Sequence, residues 1–492
     1  MKHPIPHSSA LLTDLYQLTM ACAYWKSGTA EKRAAFHLSF RQAPFHAGFS
    51  VACGLEDAIR LIQAFRFEPS DIEYLRTLSG NDGQPLFPAA FLDFLRDLRL
   101  DCEIDAVPEG TVVFPQEPLV RVQGPILHGQ LLETPLLNIL NFQTLIATKA
   151  ARICLAAGND PVVEFGLRRA QGPDGALSAS RAAYVGGCAA TSNVLAGKTF
   201  GIPVGGTHAH SWVLAFDSEL DAFREYARAL PNNSIFLVDT YNSIDGVRHA
   251  VAVGAELRRH GHRLGGIRLD SGDLAFLSIR ARAILDEAGF KDAVILGSND
   301  LDEEIISSLK SQGATIGVWG VGTRLVTGHD QPALGGVYKL SAIQRVDGNW
   351  EPRLKLSEQT AKITNPGILQ IRRFQDDQNF LGDAIYDTDL GIPPSVTIVD
   401  PVDNTRRKHF EPSAKWEDLL LPVFRRGKLV YEAPPLSEVR ARVQTQLARL
   451  HPGIKRLVNP HEYPAGLELG LHELKTTLIL QAREQGQRQQ TT

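Results

Sequence analysis

Apolar positions change rhythm twice along the chain. Near the start, Leu12, Leu15, Leu18 and Met20 recur close to helical spacing, which predicts a helix over 9–25. Phe36, Leu38 and Phe40 then alternate with His37, Ser39 and Arg41, the period of two expected of a strand with one buried face. Two further runs, 107–113 and 119–122, flank FPQEP and read as a β-hairpin, and a long helical pattern follows over 133–153. Residues 1–140 are therefore expected to form a mixed α+β unit.

The second rhythm occupies 141–335. Short β-branched runs recur at 162–167, 202–206, 235–238, 266–269, 294–296 and 315–319, with helical patterns such as 217–230 and 278–288 between them. Strands alternating with helices at such intervals predict βαβ units and a parallel sheet. Almost every run ends in polar groups: Arg168 and Arg169; Thr207, His208 and His210; Asp239 and Thr240; Arg268, Asp270, Ser271 and Asp273; Ser298, Asn299 and Asp300; Gly320, Gly322, Thr323 and Arg324. An open sheet would gather such groups at one switch point. A ring points all the strand ends at one space, so the pattern favours a (β/α) barrel. Past 335 the strand rhythm returns at 336–340, 353–356, 368–372 and 396–399, with a helix over 436–450. Residues 336–492 are expected to complete the first domain across the barrel, with a polar tail from 482 that frays.

Composition narrows the class. Of 492 residues, 43% are hydrophobic and 22% charged, an ordinary globular mix that excludes wholesale disorder. With 51 basic against 55 acidic residues the formal charge is −4, so there is no bulk attraction to nucleic acid or an anionic membrane, and an anion site must be local. Five scattered cysteines without a CxxC spacing read as reduced thiols. No apolar run approaches the ~20 residues that span a bilayer, and the start lacks the apolar core of a secretory signal. The expectation is a cytoplasmic enzyme.

Several constellations carry candidate chemistry. VWGVGTRLVTG places glycines after the last strand, where backbone N–H groups of Gly320 and Gly322, with Thr323 and Arg324, can face an anion. In GGIRLDSGDL, Arg268 and Asp270 alternate with Leu269 and share one side of the strand end, with Asp273 close by. A cation beside two carboxylates suits a magnesium-bound diphosphate next to a second anionic group. Arg168 in EFGLRR adds another cation. His208 and His210 in GGTHAHSW suit either a metal pair or a nucleophilic histidine. Asp239 and Asn299 are substrate-binding candidates by their strand-end placement. Taken singly, each also reads as ordinary structure: a tight βα turn, a surface salt bridge, solvated arginines, packed histidines. AGKT at 196–199 is not a phosphate loop, because Ser192 stands where the motif needs glycine. RRHGHR, with His260 and His262, reads as a solvated turn.

Seven motifs then stand in order: TDLYQLTM (13–20), EFGLRRAQG (164–172), GTHAHSW (206–212), LVDTY (237–241), GIRLDSGDL (266–274), SNDLDE (298–303) and GVGTRLVT with LGGVYKL (320–340). Together they resemble the nicotinate phosphoribosyltransferase family. The resemblance implies an irregular α/β barrel of the type II phosphoribosyltransferase kind, plus an α+β domain built from both chain ends, in a head-to-tail dimer with active sites at the interface. It implies transfer of phosphoribose from 5-phosphoribosyl 1-diphosphate to nicotinate, coupled to ATP hydrolysis through a phosphohistidine in NAD salvage. On the family's GTxAHS pattern that histidine is His210, whereas His208 occupies a variable position. Tyr16, Thr207 and Arg268 match residues that contact nicotinate, and Thr323 matches a contact to the phosphoribosyl donor. Magnesium near Asp270 and Asp273, with Arg168, would serve the departing diphosphate.

Two rivals make different demands. A nicotinamide-using relative tends to carry aspartate where Leu15 stands. A metal-dependent barrel hydrolase would need further histidines at later strand ends, which instead carry Asp239, Asp270, Asn299 and Thr323.

Overall fold

A computed structural model describes residues 10–359 and 362–490. The chain divides into two compact units, one made of Met1–Leu145 with Ala333–Thr492 and the other of Ile146–Pro332.

In the first unit the two ends of the chain share one sheet. Strand Arg33–Phe40 pairs antiparallel with Gly336–Gln344 on one side and with Val120–Pro125 on the other. Leu421–Arg425 is joined to Glu103–Ala106 in the same seven-stranded sheet. Arg121 reinforces the join, donating to the Leu369 carbonyl at 3.0 Å and to Asp105 at 3.0 Å, while Arg425 holds the other oxygen of Asp105 at 2.6 Å. A second, six-stranded sheet comes wholly from the C-terminal segment. The α+β domain made from both ends is therefore present.

Several local expectations need correction. The first helix spans Leu15–Lys26; Ser9, its expected start, lies outside the described residues. The strand Arg33–Phe40 is buried on both faces, because His37 turns inward and accepts the Leu369 N–H at 3.1 Å. The partner of Val120–Pro125 is Glu103–Ala106, not 107–113. Pro108 and Gly110 break the run there, and Val112–Val113 pairs with Ser50–Val51 instead. The polar tail is helical within Leu469–Gln490, since its Ala, Arg, Glu and Gln residues favour the helix and no proline interrupts them.

The second unit holds six parallel strands: Val162–Glu164, Ala190–Thr191, Ile235–Leu237, Gly266–Leu269, Val294–Asn299 and Val318–Val321. Each of the last three neighbours its predecessor, and the sixth returns to pair with the first, register Trp319 to Val162. A last strand beside the first is the connectivity of a ring. One expected strand lies elsewhere. Residues 202–206 carry Pro203, Gly205 and Gly206 and make only a single bridge, Val204 to Thr191, whereas Ala190–Thr191 supplies the second strand. Glycines let helices sit close: a Cβ on Gly246 would lie 2.1 Å from the Val238 carbonyl oxygen. No helix among the described residues is long and apolar enough to cross a membrane.

Candidate active site

The C-terminal ends of the barrel strands carry one continuous polar network. Arg268 leaves the fourth strand with its side chain largely buried and three of its N–H groups engaged. Nε donates to Ser298 at 2.7 Å, one terminal nitrogen to Thr207 at 3.2 Å and the other to Asp270 at 2.7 Å. Phe165 lies beneath the guanidinium, its ring centre 5.3 Å away. A guanidinium has five N–H donors, so three hold the group rigid and, among the described residues, two are left over.

Asp270 links this cluster to the histidine. Its backbone N–H donates to Asp239 at 3.0 Å, and the Ser271 hydroxyl donates to the same Asp239 oxygen at 2.6 Å. The other Asp239 oxygen faces His210 Nε2 at 3.1 Å. Asp239 has a buried side chain (1% exposed), while His210 is open to solvent (41%) at the start of the short helix His210–Leu214. That helix is fixed by Trp212, whose indole N–H donates to the Ala222 carbonyl at 3.0 Å.

Thr207, His210, Asp239, Arg268 and Asp270 are thus brought together. Ser298 and Ser271 belong with them as acceptor and donor, although the sequence marks them only as strand-end groups. Asp273 stands apart, because its Oδ1 accepts the Phe276 N–H at 3.0 Å and caps helix Leu274–Glu287. Arg324, expected to face an anion, is instead ion-paired with Asp302, which also caps helix Glu303–Ser311. Gly320 and Gly322 have a packing reason to lack a side chain. A Cβ on Gly320 would meet the Phe165 ring at 2.7 Å, and one on Gly322 the Phe165 carbonyl oxygen at 3.1 Å. Thr323 opens the four-residue helix Thr323–Val326. Arg168 is exposed on the turn Leu167–Arg169, and Asn299 ends its strand at φ 138°, a conformation that costs a non-glycine residue about 1–3 kcal/mol.

Tyr16 belongs to the first unit. It is exposed beside Leu15 on helix Leu15–Lys26, which Gln17 anchors by donating to Glu133 at 2.9 Å. The first unit also contains a concavity that the sequence did not reveal, lined by His37, Arg41, Lys339 and Lys362 with Ser39, Ser341 and Thr364 and no carboxylate. His37 Nε2 accepts a backbone N–H, so the ring proton sits on Nδ1, a buried atom with no partner among the described residues. These residues are scattered over more than 300 positions, which is why no motif announced them.

The metal readings are not met by this donor set. His208 and His210 are committed to different partners, the Leu237 N–H and Asp239. No group of three or more His, Cys, Asp or Glu among the described residues could hold an ion. Asp273 caps a helix and Asp270 is paired with Arg268.

Comparison with known proteins gives a consistent picture. Family models of the nicotinate phosphoribosyltransferase N-terminal and C-terminal domains match residues 11–141 and 370–475. The chain is 43% identical to a nicotinate phosphoribosyltransferase of Bacillus subtilis, over 97% of this chain and 98% of the relative. It is similar to the crystal structure of the human nicotinic acid phosphoribosyltransferase, with a TM-score of 0.82 and 34% identity, covering 95% of this chain and 99% of that one. A nicotinate-nucleotide pyrophosphorylase from Pyrococcus furiosus shares the fold at 22% identity, with a TM-score of 0.66 over 91% of this chain and 99% of that one.

Proposed function

The chain belongs to the nicotinate phosphoribosyltransferase family, and from that premise we propose that it joins nicotinate to 5-phosphoribosyl 1-diphosphate, coupled to ATP hydrolysis through a phosphohistidine at His210. The products are nicotinate mononucleotide and diphosphate, which places the enzyme in salvage of nicotinate toward NAD. The observation that carries the reading is Arg268: a guanidinium held by Thr207, Asp270 and Ser298 with two N–H donors to spare. Two donors on one guanidinium can serve both oxygens of a carboxylate, whereas an amide offers a single acceptor oxygen, which favours the acid as substrate.

The pyridine nitrogen is a modest nucleophile, so displacement at ribose C1 has oxocarbenium character. The protein's contribution is to align the ring nitrogen with C1 and stabilise the departing diphosphate. Arg168, Thr323 and the backbone after the sixth strand, with Asn299, are the donors proposed for the phosphoribosyl group. Magnesium belongs with the diphosphate and ATP oxygens in this proposal, because the donor set does not fit a resident ion at Asp270 and Asp273.

Asp239 sets the chemistry of His210. A carboxylate only accepts, so Nε2 carries the proton and Nδ1 presents the lone pair. Attack of Nδ1 on the γ-phosphorus of ATP forms the N–P bond and breaks the bridging P–O bond, releasing ADP. Hydrolysis of that N–P bond supplies the drive for synthesis. We further propose a homodimer, in which Tyr16 and the basic concavity of the first unit bear substrate-binding chemistry, with Tyr16 stacking on the pyridine. The reducing cytoplasm is the proposed compartment, in keeping with five cysteines that form no disulfide.

Labelled ATP tests the coupling. The protein should take up one acid-labile phosphoryl group on His210, and His210→Ala should lose ADP formation while retaining some mononucleotide synthesis. Equal loss of both activities would contradict the division of labour.

A further inference from the structure

The barrel ring is open at one place. Among the described residues no backbone pairing joins the Ala190–Thr191 edge, or the single bridge at Val204, to strand Ile235–Leu237. That strand pairs on its other side with Gly266–Leu269, where the Val238 N–H donates to the Arg268 carbonyl. Backbone groups alternate sides along a strand, so the Leu237 N–H points to the open edge, where a closing strand would take it. Buried there without a partner, it would cost about 1–3 kcal/mol.

An imidazole takes it instead. His208 Nε2 accepts the Leu237 N–H at 3.2 Å, and the remaining ring proton lies on Nδ1, 3.4 Å from the Ala209 carbonyl oxygen. The ring is 8% exposed and wedged against Tyr226, Phe223 and Phe236, at 4.9, 5.9 and 6.3 Å between centres. Burial lowers its affinity for a second proton; the Ala209 carbonyl opposes this, and the Arg268 charge reinforces it. The acceptor form is therefore kept.

The placement connects this seam to the active site. His208 is two residues before His210, and Leu237 is two residues before Asp239, so the seam bond fixes the spans that deliver both members of that pair. Thr207, which receives Arg268, is the residue immediately before His208. We propose that His208 is a positioning residue: its imidazole replaces the missing strand at the seam and holds Thr207 and His210 in register with Arg268 and Asp239. The role concerns a residue outside the family motif's reactive set, and it rests on the phosphoribosyltransferase reading only for its kinetic consequence.

Two variants of the full chain separate acceptor from filler. His208→Phe keeps an aromatic wedge and removes the acceptor, whereas His208→Gln offers an amide oxygen near the Nε2 position. The phenylalanine variant should raise KM for nicotinate and lower phosphohistidine yield, each at least tenfold, while KM for ATP stays within about threefold. The glutamine variant should recover most of both losses. Equal impairment of the two variants, or an unimpaired phenylalanine variant, would overturn the proposal. Hydrogen exchange of the Leu237 amide in the unmodified protein reads the seam without reference to turnover or to the folding of a variant. Slow exchange is expected, and exchange at the open-chain rate would overturn the proposal. Failure of the unmodified protein to make mononucleotide would count against the functional reading and leave that exchange measurement to judge the seam.

Discussion

In the proposed reading, selection of acid over amide rests on Arg268, because three acceptors hold it and two of its five donors are left over. Arg268→Lys keeps the charge and loses the fork. It should lower kcat/KM for nicotinate by about 100-fold, or ~2.7 kcal/mol at 1.36 kcal/mol per decade, with little change in the small rate with nicotinamide. An equal fall with both substrates would show that Arg268 serves the fold and not the carboxylate. Asp239→Asn tests the second arm. Asp239 accepts from His210, the Asp270 N–H and Ser271, and an amide has one oxygen to serve all three. Phosphohistidine formation should fall by about 100-fold while KM for nicotinate moves less than threefold; unchanged phosphorylation would contradict the proton assignment. At this scale the sequence was partly legible. Arg268 and Asp270 could be put on one side of a strand from their spacing, but Ser298 comes from the next strand, and only the fold brings it within 2.7 Å of Arg268. Asp before an apolar run reads equally as a helix cap or a metal ligand, and in the fold Asp273 caps.

At the scale of the element, backbone packing sets where the site residues stand. Helix Ser243–Arg259 lies against the third strand just before Asp239, with Gly246 against the Val238 carbonyl. Gly246→Ala places a carbon 2.1 Å from that oxygen, so the helix must lift. Overpacking of this kind should destabilise the protein by about 1–3 kcal/mol and weaken the His210–Asp239 pair; a thermal midpoint equal to that of the parent would contradict the close approach. The same scale explains where pattern and structure part. Strands rich in Val and Ile were readable from 235 to 321, whereas Ala190–Thr191 is two residues long and lacks a pattern of its own. Residues 202–206 had the apolar character of a strand but also the proline and glycines that prevent a ladder. The hairpin partner was missed because register depends on a turn containing Pro108 and Gly110, which ends one strand and redirects the next.

For the molecule as a whole, the ring of strand ends was legible because it repeats along the chain. The first unit's shared sheet was legible only as an expectation that the ends come together, since pairing of Phe36 with Leu340 leaves no local trace. His37 sits in that sheet and gives the protein an acid liability. Burial, aided by the Arg121 cation, holds its imidazole down to about 3, against ~6.5 in an unfolded chain. Between those values the unfolded chain binds a proton that the folded chain refuses, so stability is lost as pH falls through this window and rises as pH increases. His37→Gln should flatten the pH dependence of the urea midpoint there, and an unchanged slope would contradict the buried neutral ring. The most direct test of the whole is a parallel assay of the purified protein with 5-phosphoribosyl 1-diphosphate, magnesium and ATP, supplied with nicotinate or nicotinamide. Nicotinate mononucleotide and ADP are predicted with the acid alone. Product from the amide alone would contradict the role of Arg268, and product from neither would contradict the proposed reaction.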